Sequence, residues 1–323
     1  YMKILITGAA GFIGSHIALR LLKKNIKVIG LDNLNDYYSV DLKKYRLKNL
    51  KKYKNFTFVK ANLAGKKNLD ELVGRIKLNS ICHLAAQAGV RYSITNPNIY
   101  LQYNIDGFLK ILEYCRRNTS TNLVYASSSS VYGANKKVPF CVDDDVSKPV
   151  SLYAVTKRTN ELMAESYSNL YGLNSIGLRF FTVYGPWGRP DMAIWKFTKA
   201  IMSNKPINVF NKGKLSRDFT YIDDIVDGLE EAINLSGKKM SSKHQIFNLG
   251  NNSPVALDKM IELLENIIGK KAKKKLVSMQ LGDVKRTFAN IEKSKKYLDF
   301  SPKVNLKEGL INFVDWYKEY NNI

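Results

Sequence analysis

The sequence predicts an α/β fold: a doubly wound parallel sheet followed by a smaller C-terminal α/β substrate domain. Three observations carry this. Residues 3–32 read as strand, glycine turn, helix and strand. Strand-like and helix-like stretches then alternate as far as Phe181. Past Phe181 the alternation breaks at Thr182–Asp191, a loop of Gly, Pro and aromatic residues where a domain boundary is expected. The first, Rossmann-type domain is placed at 1–181, with a return of the chain over about 219–249, and the second at 182–323.

The first unit has specific chemistry. Lys3–Thr7 is a short apolar, β-branched run of the buried-strand kind. Gly8, Gly11, Phe12, Ile13 and Gly14 lie in the turn that follows. Gly8 permits a tight turn, Gly11 lets the backbone approach a pyrophosphate, and Gly14 lets helix and strand pack closely. The helix start adds free N–H groups and a positive dipole end. Ile17, Leu21 and Leu22 give the helical pattern, Asn25 the turn, and Lys27–Leu31 a second strand that ends in Asp32. A carboxylate there accepts both ribose hydroxyls of NAD and repels the extra phosphate of NADP. The spacing is GxxGxxG, weak by itself and specific in this setting of strand, helix and terminal acid.

The rest follows in order. Asn33–Tyr38 is polar and turn-like, and a basic helix runs to about Leu50. Phe56–Val59 is a third strand, with Asn62 and Leu63 after it where such folds touch the adenine. Asn68–Leu78 reads as a helix and Ile81–Leu84 as a fourth strand. Beyond Leu84, Ala85 and Ala86 open a run of small residues suited to close approach of a cofactor, and His83 reads as a core histidine. Pro97–Thr119 is a long helix and Leu123–Ala126 a fifth strand, from whose end Ser127–Ser130 emerge. That is the edge at which open α/β sheets bind ligands. After the acidic loop Pro139–Pro149, Ser151 caps a helix Leu152–Tyr171, and Asn174–Phe181 is a sixth strand. Beyond it come a helix Ala193–Ser203, a strand near Ile207–Phe210, a helix Ile225–Leu235 and a strand Gln245–Leu249, the last two expected to return to the first domain. A helix Val255–Ile268, a solvated basic loop Lys270–Lys275, a turn Gly282–Val284 and an amphipathic helix Leu306–Tyr320 complete the chain.

The helix at Leu152–Tyr171 carries Tyr153 and Lys157, four residues apart and so on one face. Lys157 and a positive nicotinamide are expected to lower the phenol from about 10. Tyr153 then serves as base in one direction and acid in the other, with Ser128 orienting the reacting hydroxyl.

Bulk properties exclude several classes. The three histidines and the scattered Cys82, Cys115 and Cys141 argue against a histidine triad or a zinc site, and suit a reducing, cytoplasmic setting. No run of 18 apolar residues suggests a membrane span, Met2 leads straight into the first strand with no signal peptide, and Tyr1 reads as an added residue. The net charge of +23 comes mostly from Lys in loops and helix flanks. It reads as a solvated surface that attracts anionic substrates, not as a nucleic-acid interface.

The glycine turn, Asp32, the run SSSSVYG from Ser127, Tyr153 with Lys157, RFFTVYGPWGRPDM from Arg179 and SRDFTYIDDI from Ser216 together resemble the extended short-chain dehydrogenases/reductases that act on nucleotide sugars. DNLNDYY and HLAAQAGVRYS sharpen the likeness toward the UDP-glucuronate 4-epimerases, from Met2 to Tyr317. Sugar-nucleotide dehydratases usually carry Asp-Glu just before the tyrosine, where this chain has Ser130 and Val131. The resemblance implies NAD as cofactor and C4 epimerisation of a UDP-sugar, UDP-glucuronate to UDP-galacturonate, through a 4-keto intermediate. UDP-galactose 4-epimerase and UDP-glucuronate decarboxylase are alternatives on the same scaffold. A basic Rossmann protein that binds RNA or regulates is a different class, against which the complete set Ser128, Tyr153 and Lys157 speaks.

The same resemblance assigns roles. The NAD site would comprise the five turn residues, Asp32, Asn33, Asn35, Asn62, Leu63, Leu84, Ala85, Ala86, Tyr153, Lys157 and Phe180. Arg91 would belong to the substrate site, Arg217 would pair with the UDP pyrophosphate and Asp283 would take the uridine ribose. Ser128 would meet the 4-hydroxyl, and Ser129, Ser130, Thr182 and Arg189 the sugar carboxylate. Asn62 and Asn290 stand where relatives commonly have Asp, which implies a weaker adenine contact at Asn62. A homodimer through the helices Pro97–Thr119 and Leu152–Tyr171 is expected.

Overall fold

The computed structural model describes residues 2–323; Tyr1 lies outside them. Twelve strands form: β1 Lys3–Thr7, β2 Lys27–Asp32, β3 Phe56–Lys60, β4 Ser80–His83, β5 Asn122–Ser128, β6 Ser175–Phe180, β7 Thr182–Tyr184, β8 Pro206–Phe210, β9 Ser216–Tyr221, β10 His244–Leu249, β11 Pro254–Ala256 and β12 Lys273–Val277. Seven make one parallel sheet in the order β10-β6-β5-β4-β1-β2-β3. Along β1 the apolar residues divide by parity. Ile4 and Ile6 enter one core, beneath the helices Phe12–Lys23 and Ile222–Ser236. Leu5 enters the other, with Phe108, Ile111 and Leu112 of the helix Gly107–Arg117. A strand covered on both faces needs an unbroken apolar run, which is why β1 reads as KILIT.

Winding goes from β1 outward to β3, then back across to β4, β5 and β6. The strand order reverses between β1 and β4, and a crevice opens there at the carboxyl ends of the strands. The chain leaves the large sheet at Thr182, where β7 pairs with β9 and β9 with β11 in a small second sheet. It comes back through the helix Ile222–Ser236 and β10, which lies beside β6. The residues just before that helix belong to β9 and the small sheet.

Several elements differ from the sequence expectation. The helix expected over 68–78 spans only Leu69–Val73, because Gly74 takes φ +77° behind a capping box of Asn68 and Glu71. The long helix from Pro97 is interrupted at Leu101–Asp106 by a π-helical turn. There Asn160 Nδ2 takes the Asn104 carbonyl at 2.7 Å, an intrusion that the ladder absorbs by widening. The serines expected beyond β5 are partly inside it: Ser127 and Ser128 pair in register with Arg179 and Phe180. Thr182–Tyr184, expected as loop, is strand β7. Lys270–Lys275 is not wholly loop, since Lys273–Val277 pairs along β8. Its lysines face solvent on both sides of a two-stranded rim, so no period-2 apolar pattern marks it. Among the described residues no helix is long and apolar enough to cross a membrane.

One buried ion pair braces β5, β6 and the helix Leu152–Tyr171. Glu161 receives Arg179 Nε at 2.9 Å and Nη2 at 3.0 Å, and Ser127 Oγ at 2.6 Å. Arg179 also reaches Tyr132, whose hydroxyl donates to Asn248 Oδ1 of β10 at 2.6 Å. Replacing Glu161 by Leu strands a buried guanidinium. Urea unfolding of that variant should show a loss of about 3–5 kcal/mol.

Candidate active site

The turn after β1 is as tight as glycine allows. Gly8 takes φ +72°, and a side chain on it would meet Ala85 N at 2.9 Å. A Cβ on Gly14 would lie 2.0 Å from the Gly8 carbonyl oxygen, so the turn packs directly against the helix start. Gly11, at the N-cap of the helix Phe12–Lys23, brings no side chain to the first-turn N–H groups. Those donors are left for an anion beside a backbone that nothing shields. At the end of β2, Asp32 is buried, its carboxylate fixed by Ala10 N at 3.0 Å and Leu34 N at 2.8 Å. A cradle of this shape with an acid at its far end fits a dinucleotide pyrophosphate and ribose.

A cavity of about 430 Å³ runs from this cradle along the carboxyl edge of the sheet. Its walls include Gly8, Gly11, Phe12, Ile13, Gly14, Asp32, Asn33, Asn35, Asn62, Leu63, Leu84, Ala85, Ala86 and Phe180. Ser128, Ser129, Ser130, Tyr153, Lys157, Thr182, Arg189, Arg217 and Asp283 line it too. Arg91 stands apart: it borders an adjoining cavity of about 630 Å³, its guanidinium 4.9 Å from the centre of the Phe210 ring. Arg217, Asp283, Thr182 and Arg189 face both spaces. Arg217 Nη2 and Asp283 Oδ1 form an ion pair at 2.5 Å.

Ser151 starts the next helix as expected, its hydroxyl receiving Ala154 N at 3.1 Å. The first turn then presents Tyr153, half-buried, toward the end of β5. Lys157 is buried one turn on, where its ammonium donates to the Ala126 carbonyl at 2.8 Å. Ser128 Oγ accepts both Ser130 N at 3.1 Å and Ser130 Oγ at 2.9 Å. Its own proton is therefore the one available to the Tyr153 phenol oxygen. Burial pushes the Tyr153 phenol up, while a hydrogen bond with Ser128 and the charge of Arg189 pull it down. Burial outweighs both, so the phenol stands above its ordinary value, opposite to the lowering expected, and Lys157 is not among the groups that shift it. Burial pushes Lys157 down to about 8, opposed by Glu161.

His83 is a core residue, with Nδ1 2.8 Å from Thr7 Oγ1 and its pKa pushed down to about 3 by burial and then by Lys157. Asn62, expected to offer its carbonyl to an adenine amino group, already receives Ala64 N there at 2.9 Å and keeps one lone pair. Asn290 accepts Glu292 N at 3.0 Å and so fixes the start of the helix Glu292–Leu298, a task either Asn or Asp performs.

Sequence reasoning missed two buried cations on the helix Val40–Leu50. Lys43 donates to the Asn35 carbonyl at 2.6 Å and to Asn35 Oδ1 at 2.7 Å. Arg46 donates to Ala10 O at 3.0 Å, Tyr38 Oη at 2.8 Å, Trp187 O at 3.1 Å and Gly188 O at 3.0 Å. It thereby joins the glycine turn to the loop after β7. The signal was present: 43, 46, 47 and 50 share one helical face, and Leu47 and Leu50 are apolar. Treating the helix as uniformly basic hid it.

Residues 4–250 match the model of the NAD dependent epimerase/dehydratase family. The chain belongs to that family. Protein CapI of Staphylococcus aureus is 50% identical, over 99% of both chains. UDP-glucuronate 4-epimerase 1 of Arabidopsis thaliana is 45% identical over 99% of this chain and 77% of its own length. The fold is similar to that of UDP-glucuronic acid 4-epimerase from Bacillus cereus, solved with UDP-glucuronic acid and NAD, at a TM-score of 0.92 and 34% identity. That alignment covers 99% of this chain and 100% of the other. Among solved members of this epimerase family the cofactor is therefore seen in a fold that this chain shares throughout.

A pH dependence follows for this family member. Lys157 carries its proton below about 8 and loses it above, where an unperturbed lysine would still be charged. If the ammonium holds the cofactor, NAD affinity should fall as pH rises through about 8. Fluorescence titration with NAD between pH 6.5 and 9.5 measures this, and Lys157→Met should flatten the profile at weak affinity.

Proposed function

We propose that the chain interconverts UDP-glucuronate and UDP-galacturonate by epimerisation at C4, with NAD held in the glycine cradle. The observation that carries this reading is the convergence of Ser128, Tyr153 and Lys157 between that cradle and the Arg217–Asp283 pair. When bound, NAD supplies a reversible two-electron carrier for the sugar carbon. Asp32 would hold the adenosine ribose, the turn and helix start the pyrophosphate, and Lys157 the nicotinamide ribose.

The chain's own groups supply proton handling and anchorage. Tyr153 takes the proton of the 4-hydroxyl as C4 becomes a ketone and returns it to O4 when the opposite face is reduced. Burial favours the neutral phenol, which suits the acid half; Ser128 and Arg189 oppose it, which suits the base half. Ser128 would turn its one proton from Tyr153 to the sugar oxygen. Arg217 meets the diphosphate and Asp283 the uridine ribose, so that binding free energy lies on a part of the substrate that does not react. The ketopyranose is then free to turn over within the cleft while its handle stays in place.

Glucuronate is favoured over galactose by a cation and hydroxyls at the sugar end: Arg189, Ser129, Ser130 and Thr182 border the cavity next to Tyr153. These would grip the carboxylate. Leu109 of the helix Gly107–Arg117 and Val155, Leu162 and Leu170 of the helix Leu152–Tyr171 are exposed apolar residues, which supports a homodimer through these helices. The same reading places the protein in the cytoplasm and divides it near Phe181.

Purified protein should carry NAD(H), because a redox-neutral cycle gives no reason to release it each turn; assay of the supernatant after denaturation checks this. Tyr153→Phe keeps the ring and removes the proton carrier. Conversion of UDP-glucuronate to UDP-galacturonate should fall by about 10²–10⁴-fold. Near-normal turnover would overturn the assignment.

A further inference from the structure

Arg189 does not enter the cleft as a free side chain. Its Nε donates to Asp191 Oδ1 at 3.0 Å and its Nη2 to Asp191 Oδ2 at 2.5 Å. The same carboxylate oxygen receives the Tyr37 hydroxyl at 3.2 Å. Tyr37 belongs to a distant part of the chain, the polar turn that follows Asp32. Its position is over-determined. The ring packs on Tyr92, with centroids 4.9 Å apart, and a side chain on Gly89 would lie 2.5 Å from its hydroxyl. Gly89 itself takes φ +102°, and its carbonyl receives the Tyr100 hydroxyl. The segment after β4 is thus shaped to leave Tyr37 its place.

The direction this gives Arg189 matters for chemistry. The guanidinium lies close enough to Tyr153 to lower its pKa. A two-bond carboxylate clamp fixes the plane of the fork, and with it the directions of the N–H donors that remain. Loss of Asp191 would leave Arg189 charged, half-buried and free to rotate. Loss of the Tyr37 hydroxyl would leave the carboxylate one donor short.

We propose that Tyr37 and Asp191 are positioning residues that aim Arg189 at the sugar carboxylate, and thereby decide whether the 4-keto sugar is returned as epimer or loses carbon dioxide. This rests on the reading above, in which the substrate is a uronate. Decarboxylation breaks the C5–C6 bond. Its electron pair moves toward the C4 carbonyl to form an enolate, C6 leaves as carbon dioxide, and a proton then adds at C5 to give a 4-keto pentose. The step needs the C5–C6 bond aligned with the carbonyl π system. A carboxylate held by a fixed guanidinium is kept from that alignment; one held by a loose guanidinium is not. Tyr37 comes from the cofactor side of the cleft, so the grip on the sugar is set from the turn that follows Asp32.

The test compares Tyr37→Phe, Asp191→Ala and Asp191→Asn with wild type. After incubation with UDP-glucuronate, the ratio of UDP-pentose to UDP-galacturonate is measured. In parallel, calorimetry gives the dissociation constants of UDP-glucuronate and of UDP-glucose, which lacks the carboxylate. Asp191→Ala should raise the pentose share and weaken UDP-glucuronate by about tenfold, the worth of one charge-assisted bond, while UDP-glucose is unmoved. Tyr37→Phe should move both in the same direction by less. Asp191→Asn keeps one acceptor for the guanidinium and should recover part of the loss. An unchanged product ratio with unchanged uronate affinity in all variants overturns the proposal. So does an equal loss of affinity for both ligands, which a merely structural role would cause. A wild type that makes no UDP-galacturonate refutes the epimerase reading instead, and the selective loss of uronate binding still reports on the clamp.

Discussion

The rest of this molecule depends on a contact between two pieces of backbone. The turn after β1 touches the end of β4 on one side and the first turn of its own helix on the other, and at neither place is there room for a methyl group. That proximity puts uncapped N–H groups at the crevice where the strand order reverses. It also sets the distance from the cradle to the ends of β4 and β5, and hence to Ser128. A single Cβ at Gly14 would have to displace a carbonyl that lies 2.0 Å away, and the whole carboxyl edge would shift with it.

Side chains then fasten the second half of the chain to that edge. Arg46 is the main tie. It spends its donors on carbonyls from both halves, Ala10 in the glycine turn and Trp187 with Gly188 beyond β7. Trp187 takes φ +60°, a backbone state uncommon for a bulky residue, and its ring packs on Trp316 and Tyr320 of the C-terminal helix. Such a conformation persists only when its surroundings hold it from several directions, as Arg46 and these rings do. The loop that delivers Arg189 is therefore pinned at its root before Asp191 and Tyr37 act on its tip.

How far the sequence showed this depends on whether a feature is local. The glycine turn, the strand ending in Asp32, the Ser151 cap and the pairing of Tyr153 with Lys157 rest on residues a few positions apart, and propensity and periodicity reach that far. The π-helical turn was not legible, because its cause is Asn160 acting across from another helix. β12 was hidden since its lysines point to solvent on both faces and only backbone pairing with β8 makes it a strand. Tyr37, Arg46 and Asp191 were missed for a related reason. Each is an ordinary polar residue in its own neighbourhood and acquires a role only from partners more than a hundred positions away or, for Asp191, through a tyrosine that distant.

The distribution of positive charge shows why a net value of +23 says little about the site. The surface lysines are solvated and screened, and each interacts weakly with anything beyond about a Debye length. The cations that shape the cleft are few and differ in kind. Arg217 and Arg189 are paired with Asp283 and Asp191, so each adds direction more than net charge. Lys157 makes its direct hydrogen bond to a neutral carbonyl, and burial holds its pKa near 8. An anionic ligand beside it would recover part of that desolvation cost, whereas the same ligand beside a surface lysine would recover almost none. Affinity for a dinucleotide or a sugar diphosphate is thus concentrated in a handful of half-starved donors inside the cleft, and the many outer lysines act mainly on the rate of encounter.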